Sequence, residues 1–119
     1  MNTKEKKAMQ PTNEVIAKLL KQRNKGTEDC VTSTFIARQI GLTALELNSF
    51  LIDKKILKRY RKERKLVLAP KYKDMGIAKC RSRFGYDNNG QIFEIVFPVW
   101  TKKGVDFLAE KLETTLEYK

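Results

Sequence analysis

The chain has 119 residues, 41% of them apolar, enough for one domain with its own core and too few for two comfortable ones. Lys and Arg number 25 against 14 Asp and Glu, a formal charge of +11, which should draw the chain to polyanions unless the charge serves solubility alone. There is no histidine, so histidine acid–base catalysis is excluded, and the two cysteines, Cys30 and Cys80, lie far apart in sequence, so a four-ligand zinc site would need carboxylates or a second chain.

Residues 1–10 are polar and lysine-rich and are expected to form a flexible basic tail, with a single domain over 11–119. No apolar segment follows the tail's charges, as a secretory signal requires, and no apolar run approaches the roughly 18 residues that cross a bilayer. Both features point to the cytoplasm, with no membrane partner. Pro11-Thr12-Asn13 reads as a helix start. Val15, Ile16, Leu19 and Leu20 then recur at helical spacing up to a stop at Gly26, giving an apolar stripe that should pack on the domain.

Thr32-Ser33-Thr34 offers caps for a short helix to Ile40, and Gly41 supplies a left-handed turn. Thr43-Ala44-Leu45-Glu46 spells a capping box for a second helix from Ala44 to about Lys54. Ile36, Ala37, Ile40, Leu42, Leu47, Phe50 and Leu51 form one apolar set across the turn. This spacing is that of a helix-turn-helix, although helix pairs with a small residue at their crossing also occur as plain structure. Two short strands should follow, with Arg61, Lys62, Arg64 and Lys65 at their tip around a lone Glu63. They read as a wing beside the helix pair, or else as a solvated charged loop.

After a linker anchored by Tyr72, residues 78–84 alternate, with Lys79, Arg81 and Arg83 on one side and Ala78, Cys80, Ser82 and Phe84 on the other. Asp87-Asn88-Asn89-Gly90 is a turn, and a return strand Gln91–Phe97 places Phe93, Ile95 and Phe97 together. The expectation is a hairpin with one buried face and one basic face. Thr101 then caps a last helix whose stripe is Val105, Leu108 and Leu112 and whose outer side carries Glu110, Glu113 and Glu117. Those carboxylates read as a solvated helix face. The expected fold class is thus α+β: a winged helix-turn-helix with an added basic hairpin and flanking helices.

From Thr32 to about Leu112 the chain resembles the KilA-C domain found at the C-terminus of phage antirepressor proteins. The resemblance is carried by Thr34-Phe35-Ile36-Ala37, Gly41-Leu42-Thr43, Leu47-Asn48 with Leu51, Lys71-Tyr72-Lys73-Asp74-Met75-Gly76, and Trp100-Thr101-Lys102-Lys103-Gly104. It implies a DNA-binding or repressor-related module of phage, prophage or mobile-element origin, acting in transcriptional regulation or antirepression. Antirepressors of this kind carry a separate N-terminal domain, where only a short helix precedes the match here. Their first hairpin has glycines at its tip, where this chain has Arg61 to Lys65.

The candidate DNA-reading surface is Thr43, Ala44, Leu45, Asn48 and Ser49 on the second helix of the pair. Asn48 is the best base reader, because an amide makes two hydrogen bonds to adenine; the alternative is a local backbone cap. The helix has no Lys or Arg before Lys54, so affinity for double-stranded DNA should come from the wing (Arg59, Arg61, Lys62, Arg64, Lys65) and from the hairpin (Lys79, Arg81, Arg83), chiefly on phosphates. The absence of a glycine-rich phosphate loop, of clustered acids and of any activated nucleophile leads to the expectation of no enzymatic activity and no cofactor or metal. The rival reading is a protein-interaction module gripping a repressor or replication protein through the neutral helix face. RNA binding by the basic hairpin, with Tyr60 or Tyr86 stacking on bases, is a third reading.

Overall fold

The computed structural model describes residues 12–119, and the tail expected over 1–10 lies outside them. Helix α1 (Asn13–Arg23) starts where the Thr12 side chain accepts from the Val15 amide, and the chain leaves it through Gly26 at φ 86°. Its apolar residues remain half-buried or exposed, with Val15 46% exposed. The stripe is thus only partly covered, at Ile16, Leu19 and Leu20. Polar groups at the C-terminal end add to the docking. Arg23 Nε lies 3.1 Å from Glu94 Oε2, and the Asn24 side chain both donates to Ser82 O and accepts from Ser82 N.

A two-residue strand β1 (Val31–Thr32) leads into α2 (Ser33–Gln39), capped by the Thr32 hydroxyl. Gly41, at φ 74°, turns the chain into α3 (Ala44–Asp53), where the Thr43–Glu46 capping box forms in both directions at 3.1 and 2.9 Å. Ile36, Ala37, Leu47 and Leu51 are fully buried between these helices. Ala37 provides the close approach that its missing bulk allows, and Phe50, only half-buried, packs at the margin. The helix pair and its apolar set thus form as the spacing indicates.

Strands β2 (Leu57–Tyr60) and β3 (Lys65–Leu68) pair antiparallel from Leu57 with Leu68 to Tyr60 with Lys65, around a turn over 61–64. A single 3-10 turn (Pro70–Tyr72) sets the Tyr72 ring edge-on to Phe107 at 5.5 Å. The long strands β4 (Ala78–Tyr86) and β5 (Ile92–Trp100) follow, then α4 (Lys102–Lys111). β5 organises the five-stranded sheet. β4 runs antiparallel along its whole length, while on its other edge β1 pairs at Trp100 and β3 pairs in parallel at Val96. The fold is mixed α+β, with four helices among the described residues. None of them is long and apolar enough to cross a membrane.

Trp100 lies at the centre of the core, fully buried, and its indole Nε1 donates to the buried Ser33 Oγ at 3.0 Å. The next residue ties three elements together. Thr101 N donates to Ile77 O at 3.1 Å, its hydroxyl donates to Gly76 O at 2.7 Å, and that hydroxyl accepts from Gly104 N. Gly104 needs its missing side chain, because a Cβ there would sit 1.8 Å from Ile77 O. The two stretches Lys71–Gly76 and Trp100–Gly104, prominent in the sequence, therefore meet in one clasp that seats α4. Beyond α4 the chain crosses to α2, where the Gln39 side chain exchanges hydrogen bonds with the Glu117 backbone and the Tyr118 hydroxyl donates to Asp29 O.

One expectation fails in the long hairpin. The observed register pairs Arg81 with Phe97, Arg83 with Ile95 and Gly85 with Phe93. Directly opposed residues share a face, so the apolar residues of β5 lie on the same side as the basic residues of β4, not opposite them. The cause is the turn. Tyr86 pairs with Ile92, so the loop spans 87–91 and is closed by Asp87 N donating to Gln91 O at 2.9 Å. A four-residue turn over 87–90 would have paired Tyr86 with Gln91. The side-chain period of a strand is two, so that one-residue difference reverses which residues face each other.

Candidate nucleic-acid interface

Asn48, Arg83 and Phe97 line two neighbouring hollows, taken together as one cleft. The larger, about 450 Å³, is lined by Asn48 of α3, by Arg59, Arg61, Arg64 and Lys65 of the β2–β3 hairpin, and by Arg83, Phe93, Ile95 and Phe97 of the long hairpin. The smaller, about 300 Å³, is lined by Thr32 to Thr34, Ala44, Asn48, Arg83 and Phe97. Helix, short hairpin and long hairpin thus contribute to one concave surface, and they do so because β3 and β4 flank the same strand β5.

The α3 residues divide by height. Leu45 is 70% exposed, and Thr43 and Ser49 are also exposed, while Ala44 and Asn48 are half-buried. The exposure of Leu45 means that neither α4 nor the C-terminal segment covers this side of the helix pair. The Asn48 Oδ1 is buried and accepts no hydrogen bond among the described residues, so it is not spent on capping the local backbone. Thr43 and Glu46 are occupied with each other in the capping box.

At the short hairpin, Arg59, Arg61, Lys62, Arg64 and Lys65 are all exposed. Arg64 is the most constrained. It takes a left-handed conformation at φ 53°, its carbonyl accepts from Val96 N at 2.9 Å, and its guanidinium lies 4.1 Å from the centre of the Phe93 ring. Non-glycine residues adopt that backbone at a cost of about 1–2 kcal/mol, and a guanidinium–aromatic contact returns about 0.5–1 kcal/mol.

The hairpin cations expected to act together separate. Arg83 is exposed and lines both parts of the cleft. Arg81 is instead held by Thr27, its guanidinium donating to Thr27 O at 2.7 Å and to Thr27 Oγ1 at 3.1 Å. Lys79 donates to Gly26 O at 2.7 Å. These two brace the loop after α1. Sequence reasoning missed Phe93, Ile95 and Phe97 as cleft residues, because their face depended on the turn length. Alternation along β4 gave no hint of which cations the preceding loop would claim.

Both cysteines are free thiols. Burial, with a smaller effect from Asp29, pushes the Cys30 thiol above its usual 9.0, and burial does the same at Cys80. Neither belongs to the cleft. Among the described residues no group of three or more Cys, Asp or Glu is placed to hold a metal ion.

A comparison with protein families matches the phage antirepressor protein KilAC domain over residues 12–115. The chain belongs to the phage antirepressor KilAC domain family. The match extends the resemblance read from the sequence back through α1, so the helix preceding the helix pair is part of the KilAC domain. The KilAC family is a phage regulatory one and not an enzyme family. No significant match was found among curated proteins or among solved structures. Within this KilAC domain the segments that carried the resemblance serve two ends. The Trp100–Gly104 segment builds the clasp on Ile77, whereas Asn48 lies in the cleft.

Proposed function

We propose that α2, α3 and the β2–β3 hairpin act as a winged helix-turn-helix and that this domain binds double-stranded DNA in phage-type gene regulation or antirepression, without enzymatic activity, in the cytoplasm of a host cell. One observation carries the reading: Arg59, Arg61, Arg64 and Lys65 of the short hairpin and Arg83 of the long one line a single cleft at the side of α3. Phosphates would meet Arg59, Arg61, Lys62, Arg64, Lys65 and Arg83, while Thr43, Leu45 and Ser49 stand outward on α3. Leu45 suits apolar contact with a thymine methyl.

Neutralising roughly five phosphates should give a slope of log K against log salt near −4.5. The test is a salt-titrated binding assay on random duplex DNA, comparing the native chain with an Arg61→Ala, Lys62→Ala, Arg64→Ala variant. The variant should bind more weakly and with a slope less steep by about 2.7. A slope near zero for the native chain refutes the reading, and equal binding by both chains removes the wing from it.

A second reading has its own support. Leu45 at 70% and Phe35 at 37% exposure are large apolar groups on the helix pair, and such groups favour protein docking. On that reading the partner is an acidic repressor surface. Loss of partner binding in Leu45→Ala, with duplex affinity intact, would favour it.

A further inference from the structure

Asn48 is the residue expected to read bases, yet it is recessed below Leu45 and Ser49. A side chain that reads an intact major groove must project from its helix to reach the base edges. Asn48 does not project. It lines a cleft together with the guanidinium groups of Arg59, Arg61, Arg64 and Arg83, and its Oδ1 is a buried acceptor with no partner among the described residues.

We propose that this recess receives an unpaired base of a DNA strand, so that the domain prefers DNA with a gap or single-stranded stretch to an intact duplex. The proposal rests on the DNA-binding reading above and adds the state of the strand. An unstacked base presents two π faces and a polar edge. The recess holds the counterpart of each. Phe97 lines both parts of the cleft next to Asn48 and offers an aromatic wall. The Arg64 guanidinium, its central carbon 4.1 Å from the centre of the Phe93 ring, offers a second planar group. Once the Asn48 amide turns into the cleft, its Oδ1, sealed from solvent in the free domain, would accept from the exocyclic amine of adenine or cytosine while Nδ2 donates to the adjoining ring nitrogen. Arg83 lines both parts of the cleft and would take the phosphate beside the base.

Arg64 is held in place from behind. Phe93 packs over Gly85, where a Cβ would stand 3.0 Å from the ring. A side chain at 85 would push Phe93, and Phe93 would push Arg64. Gly85 and Phe93 are positioning residues.

The experiment uses the full chain with three probes of equal length: single-stranded DNA, an intact duplex, and a duplex with a one-nucleotide gap opposite a fluorescent adenine analogue. The gapped probe should bind about tenfold more tightly than the intact duplex, what one stacked base supplies, and the analogue's emission should fall on binding. In Asn48→Ala and in Phe97→Leu the ratio of gapped to intact affinity should fall to about one, with Trp100 emission confirming the fold. Gly85→Ala should lower the ratio in part. Equal native affinity for gapped and intact duplex, with unchanged emission, overturns the proposal and leaves duplex binding standing. A tenfold preference that survives both variants also overturns it. Binding to none of the three probes removes the DNA reading as well.

Discussion

Replacing Gly104 with alanine tests whether the clasp under α4 holds this fold together. A Cβ at 104 would stand 1.8 Å from Ile77 O and 2.8 Å from Ile77 C, both backbone atoms, against an ordinary contact of 3.4 Å or more. α4 would have to retreat by about 1.6 Å, in an interior that is close-packed. That retreat draws the fully buried Leu108 and nearly buried Val105 out of the core and stretches the bonds from Thr101 to Gly76 and Ile77. Overpacking costs about 1–3 kcal/mol, and a lost hydrogen bond adds about 0.5–1.5 kcal/mol. Alanine returns about 1 kcal/mol of helix propensity, so the net loss should fall within about 0.5–3.5 kcal/mol, centred on about 2. In urea, with a slope of about 1–3 kcal/mol per M, the midpoint should fall by roughly 1–2 M. Trp100 is the only tryptophan and is fully buried, so its fluorescence reports the transition. Gly41→Ala is the control. It has open space around a left-handed φ of 74° and should lose only about 1–2 kcal/mol. A Gly104→Ala midpoint equal to or above the native one would refute the argument.

Ser33→Ala removes the acceptor of the buried Trp100 indole and should cost about 1–3 kcal/mol in a urea titration; no loss would mean that water or another group replaces it. Asn24→Ala leaves Ser82 N and O without the amide that pairs with them, so the Ser82 amide should lose hydrogen-exchange protection while that of Trp100 persists; unchanged protection at Ser82 would count against the role given to Asn24. In thiol titration Cys80, exposed as a residue but with its thiol partly covered, should react before the buried Cys30, and both slowly until the pH passes 9, because desolvation raises both thiols above 9.0. Their raised values favour the folded state, a contribution complete below pH 9 and lost as pH climbs through the folded value. Rapid reaction of Cys30 in the native chain at neutral pH would contradict its placement.

Much of this was legible in local chemistry. The Thr43–Glu46 box, the Gly41 turn, the Ile36, Ala37, Leu47 and Leu51 core and the two short strands with a basic tip are written in residue types whose preferences act within a few positions. What the sequence withheld depends on distant partners. Lys79, Arg81 and Arg83 alternate identically, yet the carbonyls of Gly26 and Thr27 take the first two and leave the third to the cleft. The apolar stripe of α1 shows in its periodicity, but nothing in that periodicity reports on the salt bridge from Arg23 to Glu94. The parallel pairing of Lys65 with Val96, which sets the short hairpin beside the long one, joins residues too far apart for any local pattern to show.

The five residues 87–91 between β4 and β5 have a consequence for how such a chain could change. A change of one residue there has two possible outcomes. If the loop absorbs it, the ladder keeps its pairs and Phe93, Ile95 and Phe97 keep their side. If the loop holds at five residues, the ladder slips by one and every side chain of β5 changes face. Slippage would have to pull Trp100 from the core and Val96 from Arg64, so those two anchors confine drift in length to the loop and protect the aromatic wall.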